Sequence, residues 1–281
     1  MDPFVFAAVL VAAASHASWN ALIKFRLDPF ATMSIVAVAS GIIAVPLAPF
    51  TGVPIPAAWP WVIASVILHI GYYVGLTEAY RTGDLSQVYP IARGSAPLMT
   101  ALIATTVVGE HLSVIGWAGI LVLVSGVFLL SFRGGRDLAK IDRRAVGFAF
   151  FTAMTICGYS VTDGVGARIS GNPHAYTTWL FLLDGVAMLI FALLRRGHSI
   201  VKDARSYWQL GLLGGALSMF SYWVAIWAMT KAPIAIVAAL RETSVLFGTA
   251  IAVVMLKESL RPARIVAAVM IVCGLVMIRM Q

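Results

Sequence analysis

The chain has 281 residues, 60% of them hydrophobic and 11% charged, with a formal net charge of +8. Soluble domains carry about 25% charged residues, so this composition cannot cover a water-facing surface with ions and excludes a soluble enzyme. The surplus of Lys and Arg does not point to nucleic acid either, because these residues sit almost wholly between apolar runs, as in the loops that orient membrane proteins.

Met1-Asp2-Pro3 is acidic where a secretory signal would be basic, so the first apolar run is expected to be retained as a helix. It is predicted over 3–24. His16, Trp19 and Asn20 share one face of it at i, i+3 and i+4, with Lys24 a turn further on. A polar face on an apolar helix must look toward protein or water. Trp19 would then stack on a substrate while Asn20 hydrogen-bonds it, or the face is glue between helices. His16, with an unperturbed pKa near neutrality, is also a candidate proton carrier.

Helices 2 and 3 are predicted over 30–49 and 59–82. No Asp, Glu, Lys or Arg occurs from Phe30 to Thr77, far beyond the roughly 18 apolar residues a span requires. Helix 3 carries a stripe of His69, Tyr72, Tyr73 and Tyr80, and a separate small-residue row, Gly71, Gly75 and Ala79, suited to close helix packing. Helix 4 is predicted over 86–108, with Tyr89 one turn before Arg93 and Pro90 between them. Helix 5 follows over 113–132, and the polar linker 133–144 closes a first unit, residues 1–132.

The second unit, residues 145–281, is predicted as helices over 145–168, 174–194, 206–231, 233–256 and 262–278. Tyr159 and Asp163 lie one turn apart in the sixth helix, where Asp163 would relay a proton or hold a neighbour. Asp184, mid-helix in the seventh, would likewise relay a proton or hold a neighbour through a hydroxyl. Tyr222 and Trp223 lie deep in the eighth, near Ser218 and Ser221, and Arg241 and Glu242 fall within the ninth. Intramembrane ionisable groups are functional candidates because burying one costs from about 3 to over 10 kcal/mol. Arg93 or Arg241 would receive a carboxylate through its bidentate fork. The competing reading is a structural pair, Arg241 with Glu242 or Arg93 with Glu78. Glu110 and Glu258, at helix ends, read as structural, and Trp59, Trp61, Trp117 and Trp208 as interfacial anchors.

The two units are related in sequence. Ala92-Arg93-Gly94-Ser95-Ala96-Pro97 aligns with Leu240-Arg241-Glu242-Thr243-Ser244-Val245 at an offset of 148, which also carries Gly109-Glu110-His111-Leu112 onto Lys257-Glu258-Ser259-Leu260. Both matches concern the fourth helix of five. An odd number of helices per unit makes the repeat inverted, the plan of many secondary transporters, with the substrate site near the midplane. Of the 20 Lys and Arg, fifteen fall in the loops after helices 1, 3, 5, 7 and 9, and only Arg168, Lys231 and Arg279 in the opposite set. That bias places the first set in the cytoplasm and both termini outside, in a bacterial-type inner membrane. Cys157 and Cys273 lie in separate apolar stretches with no metal or redox spacing, and no ATP-binding or hydrolase motif is present. Neither a cofactor nor a metal is expected.

Two five-helix units, the Gly109-Glu110 and Lys257-Glu258 pairs closing each fourth helix, and the His16-Ala17-Ser18-Trp19-Asn20 run together resemble the EamA branch of the drug/metabolite transporter superfamily, and within it the YddG-type amino-acid exporters. The resemblance implies an all-α integral membrane protein, ten transmembrane helices as two inverted five-helix repeats around a central cavity, with helices 3, 4, 8 and 9 forming its wall and helix 7 peripheral. It also implies export of amino acids or similar metabolites. One departure is Val245 at the position of Pro97, so the two fourth helices need not bend alike.

The expectation is therefore a secondary transporter, not an enzyme, exporting amino acids, aromatic ones included, or similar amphipathic metabolites by alternating access. The substrate-binding candidates are His16, Trp19, Asn20, His69, Tyr72, Tyr73, Tyr89, Arg93, Tyr159, Tyr222, Trp223 and Arg241; the candidate proton relays are His16, Asp163 and Glu242. The expected partners are a small-molecule substrate and the lipid bilayer, not nucleic acid, with the monomer as the working unit. Alternatives are multidrug efflux of lipophilic cations, a channel, and an intramembrane lipid-modifying enzyme.

Overall fold

The computed structural model describes residues 1–23, 28–82, 85–131, 142–256 and 262–280. Most of the predicted linker, the Lys257-Glu258 pair and Lys24 lie outside these described residues. The helices are α1 (Pro3–Ile23), α2 (Pro29–Ala44), the short α3 (Ala48–Thr51), α4 (Trp59–Thr82), α5 (Leu85–Thr106), α6 (Val114–Ser131), α7 (Arg143–Ser170), α8 (Pro173–Arg196), the short α9 (Ser199–Ser206), α10 (Trp208–Met229), α11 (Ile234–Arg241), α12 (Ser244–Leu256) and α13 (Pro262–Met280). There is no strand among the described residues. Helices close their own backbone hydrogen bonds, which is what a bilayer demands of a spanning segment.

Eight helical stretches among the described residues are long and apolar enough to cross a membrane; α5 and α6 are not among the eight. Large apolar side chains such as Leu102, Phe150, Ile190 and Val254 face outward. Lipid is as apolar as they are, so their exposure carries no penalty there.

Local chemistry sets the helix ends. Asp28 caps α2 by accepting from the N–H groups of Phe30 and Ala31, with Pro29 in the first turn, where a missing N–H costs nothing. The run Gly171-Asn172-Pro173 ends one helix and starts the next: Gly171 takes the left-handed conformation after α7 (φ 64°), and Asn172 caps α8 through His174 and Ala175. Each such cap is worth about 1 kcal/mol. Val45–Leu47, containing Pro46, tightens into a 3-10 turn after α2.

Packing crosses between the first and second parts of the chain: α4 and α5 lie on α7, α1 on α10, α2 on α8, and α6 on α13. Glycine permits the closest approaches. A Cβ on Gly41 of α2 would stand 2.9 Å from the Cα of Gly185 of α8, and one on Gly274 of α13 only 2.7 Å from the carbonyl oxygen of Gly119 of α6. The small row of α4 behaves similarly, with Gly71 and Gly75 against Phe151, Thr152 and Thr155 of α7, and Ala79 among Ala145 and Ala149. Hydroxyls add direct links, from Ser15 to the carbonyl of Leu217 at 3.1 Å and from Ser40 to that of Gly215 at 3.1 Å.

Two differences from the predicted elements matter. The ninth predicted helix is broken: α11 ends at Arg241, Glu242 and Thr243 form a turn, and α12 begins at Ser244. Three-residue hydrogen bonds, including Glu242 N–H to Ala239 and Val245 N–H to Glu242 at 3.1 Å each, tighten the chain there. Its counterpart α5 is continuous although it contains Pro90 and Pro97. The other difference is the extra helix α9, which buries Ile200 against Phe30, Ala31 and Ala37 of α2 and Met188 and Ala192 of α8.

Candidate functional site

The bundle holds a partly open central cavity of about 80 Å³. At roughly 10–15 Å³ per water, it holds several waters or a solute with a handful of heavy atoms. His16 and Trp19 reach it from α1, His69, Tyr72 and Tyr73 from α4, Arg93 from α5, Tyr159 from α7, Tyr222 from α10 and Arg241 from α11. These sequence candidates, scattered over more than two hundred positions, thus share one wall.

Aromatic rings form much of that wall. His69 stacks on Tyr159, centroids 4.3 Å apart, and both Tyr72 and Tyr222 meet Tyr159 edge-on at 5.9 and 5.6 Å. The Nδ1 of His69 lies 2.9 Å from the carbonyl oxygen of Ser65. A carbonyl only accepts, so Nδ1 carries the proton in that contact. His16 and Trp19 pack edge-to-face at 5.4 Å.

The two intramembrane arginines behave differently. Arg93 Nε lies 3.1 Å from a carboxylate oxygen of Glu242, both side chains almost fully buried, and its Nη2 reaches the Ser244 hydroxyl at 3.5 Å. This pairing was not among the two foreseen. Glu78 pairs instead with Arg81 and Arg195, and Glu242, in the turn after α11, pairs across to α5 and not with its neighbour Arg241. Arg241 has no ion pair among the described residues; its guanidinium carbon sits 4.6 Å above the Tyr222 ring. It occupies the carboxyl end of α11 at the helix break, where the helix dipole favours a cation.

Carboxylates stand around the same rings. Asp163, fully buried, accepts from the hydroxyl of Tyr176 at 2.9 Å and from that of Tyr222, so Tyr222 links it to the cavity. Asp184 on α8 accepts from the Tyr73 hydroxyl at 2.7 Å and itself lines the cavity.

Other candidates fall elsewhere. Asn20 donates to the carbonyl of His16 in its own helix at 3.0 Å and is not part of the wall. Trp223 points away, its Nε1 donating to His174 at 2.9 Å. Tyr89 belongs to α5, but its side chain lies outside the described part of the structure, as does that of Tyr80. The expectation that helix 7 is peripheral is corrected: α8 brings Leu180, Phe181 and Asp184 into the wall, and α2 adds Ser40. The cause is the Gly41–Gly185 crossing, which seats α8 tightly on α2. A carboxylate in the middle of an apolar helix was the available signal for Asp184.

A model of the EamA-like transporter family matches residues 3–132 and again residues 144–280. A solved structure described as "Crystal structure of protein" superimposes with a TM-score of 0.76 at 16% identity, covering 98% of this chain and 94% of its own, a likeness of fold alone. No curated protein matches the sequence.

Proposed function

The chain belongs to the EamA-like transporter family, and from that premise we propose that it is a secondary transporter exporting amino acids or similarly sized metabolites by alternating access, with Arg241 receiving the substrate carboxylate. The observation that carries this reading is an arginine with no ion pair among the described residues, at a helix break, facing an aromatic-walled cavity. Broken helices near the midplane are a recurring way to build such sites. Arg93 spends its charge on Glu242 and serves better as a strut that holds the break in place.

Contacts at the two ends of the bundle support a ten-span, inverted arrangement. Arg279 donates to the carbonyl of Met1 at 3.0 Å, so both termini meet at one end. At that end Asn172 reaches Thr51 and Glu110 pairs with Arg168. The other end gathers Asp28 with Arg196 and Glu78 with Arg195. Alternation between the two ends supports α5 and α6 as two further crossings beside the eight apolar spans. The positive-inside bias then assigns the Arg195–Arg196 end to the cytoplasm of a bacterial-type inner membrane and both termini to the opposite side. Residues 1–132 and 145–281 are the two five-helix units, joined by the cytoplasmic linker 133–144.

Counterflow in proteoliposomes tests the reading. Vesicles loaded with unlabelled amino acids should accumulate a labelled one, and Arg241→Gln should abolish that exchange while a matched outward-facing substitution leaves it intact. Silence toward every amino acid, in a preparation shown to be folded, overturns the amino-acid reading and moves lipophilic cations to the front. An imposed pH gradient tests coupling in the same vesicles: a response keeps His16, Asp163 and Glu242 as relays, and indifference removes all three.

A further inference from the structure

Asp184 is 3% exposed, yet only one of its oxygens is satisfied. Oδ2 accepts from the Tyr73 hydroxyl, whereas Oδ1 is buried with no hydrogen-bond partner among the described residues. A carboxylate has room for about four donors, and a buried acceptor left without one is costly, so natural sites seldom keep one without reason. The side chain is not stranded in packing: it forms part of the cavity wall, one turn from Phe181, which also lines it. Gly185 fixes the backbone beside it through the close crossing with Gly41.

The same cavity is faced by Arg241, and the two do not pair with each other. One wall therefore offers a cation and, separately, an anion with a free acceptor atom. A simple carboxylate satisfies only the first and a lipophilic amine only the second; a solute with both ends satisfies both. We infer that Asp184 is the ammonium subsite of this cavity, its Oδ1 accepting from the amino group of a zwitterionic cargo whose carboxylate lies on Arg241. The inference rests on the carboxylate-anchored reading above and narrows it to amino acids as against other organic acids.

Competition within a matched trio tests it on the full-length protein. The probe is labelled alanine, small enough for the cavity, challenged by alanine itself, its des-amino acid (propionate) and its decarboxylated amine (ethylamine). Wild type should prefer the amino acid over the des-amino acid by at least about tenfold. In Asp184→Asn, which keeps an acceptor for Tyr73, that preference should disappear through weaker amino-acid binding while des-amino acid binding stays the same. A loss of preference that Tyr73→Phe reproduces in full would assign Asp184 to holding Tyr73 and overturn the inference. Equal competition by the des-amino acid in wild type overturns the inference without needing any variant, as does an undiminished preference in Asp184→Asn. Binding of neither the amino acid nor the des-amino acid by wild type instead defeats the underlying reading of Arg241, a distinguishable result.

Discussion

Two arginines at equivalent positions of a sequence repeat have different surroundings because of what each can reach. Arg93 meets Glu242 across the interface of α5 with the broken helix, and both groups are shut off from solvent. Removing one partner of such a pair leaves an uncompensated buried charge, at a cost of about 3–5 kcal/mol, whereas replacing both by apolar groups is often neutral. Arg93→Gln and Glu242→Gln should each lower the thermal unfolding midpoint in detergent by several degrees, and Arg93→Met with Glu242→Leu should recover most of the loss. A double variant as unstable as the sum of the singles would show that the pair does not act as a unit. Arg241 has no such partner among the described residues, so Arg241→Gln is expected to spare stability and to cost transport.

At the scale of elements, close helix crossings decide which side chains enter the cavity. Two glycines let α2 and α8 approach until their Cα atoms nearly touch, and Ser40 and Asp184 beside them reach the cavity as a result. A larger residue must push the helices apart, and overpacking of this kind costs about 1–3 kcal/mol. Gly41→Leu should therefore reduce both stability and exchange, while the same substitution at Gly147, where a Cβ meets nothing within 4 Å, should change neither. The broken helix is the second device. Its turn is closed by three-residue hydrogen bonds, and it sets Arg241 at a helix end.

For the whole molecule, ion pairs join the first and second parts of the chain at both ends. Glu110 binds Arg168 at 2.7 Å and accepts from the N–H of Ile234 at 2.9 Å, capping α11. At the other end the Arg196 fork grips Asp28 at 2.7 and 2.8 Å, and both Arg195 and Arg196 lie over the Phe30 ring. Under the proposed alternating access, each set would open in turn. Glu110→Gln should raise labelling of a reporter cysteine at Ser218 from the side of the termini, and Asp28→Asn from the opposite side, each by up to about tenfold if a pair is worth about 1.4 kcal/mol. Labelling that rises from the same side in both variants would rule out two separate gates.

The Asp28 gate also carries a pH signature. Burial alone would raise its carboxyl, but the Arg196 hydrogen bonds and the N–H groups of Ala31 and Phe30 outweigh that and hold it below the ordinary range. A depressed folded value means the stabilisation is complete above the ordinary carboxylate value near 4 and is lost as pH falls through the lowered one. Acidifying that side progressively below the ordinary carboxylate value should move the protein toward the Asp28→Asn behaviour, with no effect between about pH 6 and 8.

The sequence by itself determined that the chain is a membrane protein, because 11% charge and runs without a single ion leave no soluble alternative. It also exposed the related pair Arg93 and Arg241, since an ion in an apolar helix stands out without any knowledge of neighbours. The aromatic stripe of α4 was legible for a similar reason: helical periodicity puts His69, Tyr72 and Tyr73 on one broad face. Partners were not legible. Whether Arg93 meets Glu78 or Glu242, whether Trp223 faces the cavity or His174, and whether Asp184 is hidden or presented depend on how helices cross. Crossing is set by contacts among residues more than a hundred positions apart, such as Gly41 with Gly185, and no local pattern encodes which groove receives which ridge. Tertiary structure alone gave the two arginines their different surroundings, by breaking one helix of the repeat and leaving its counterpart whole.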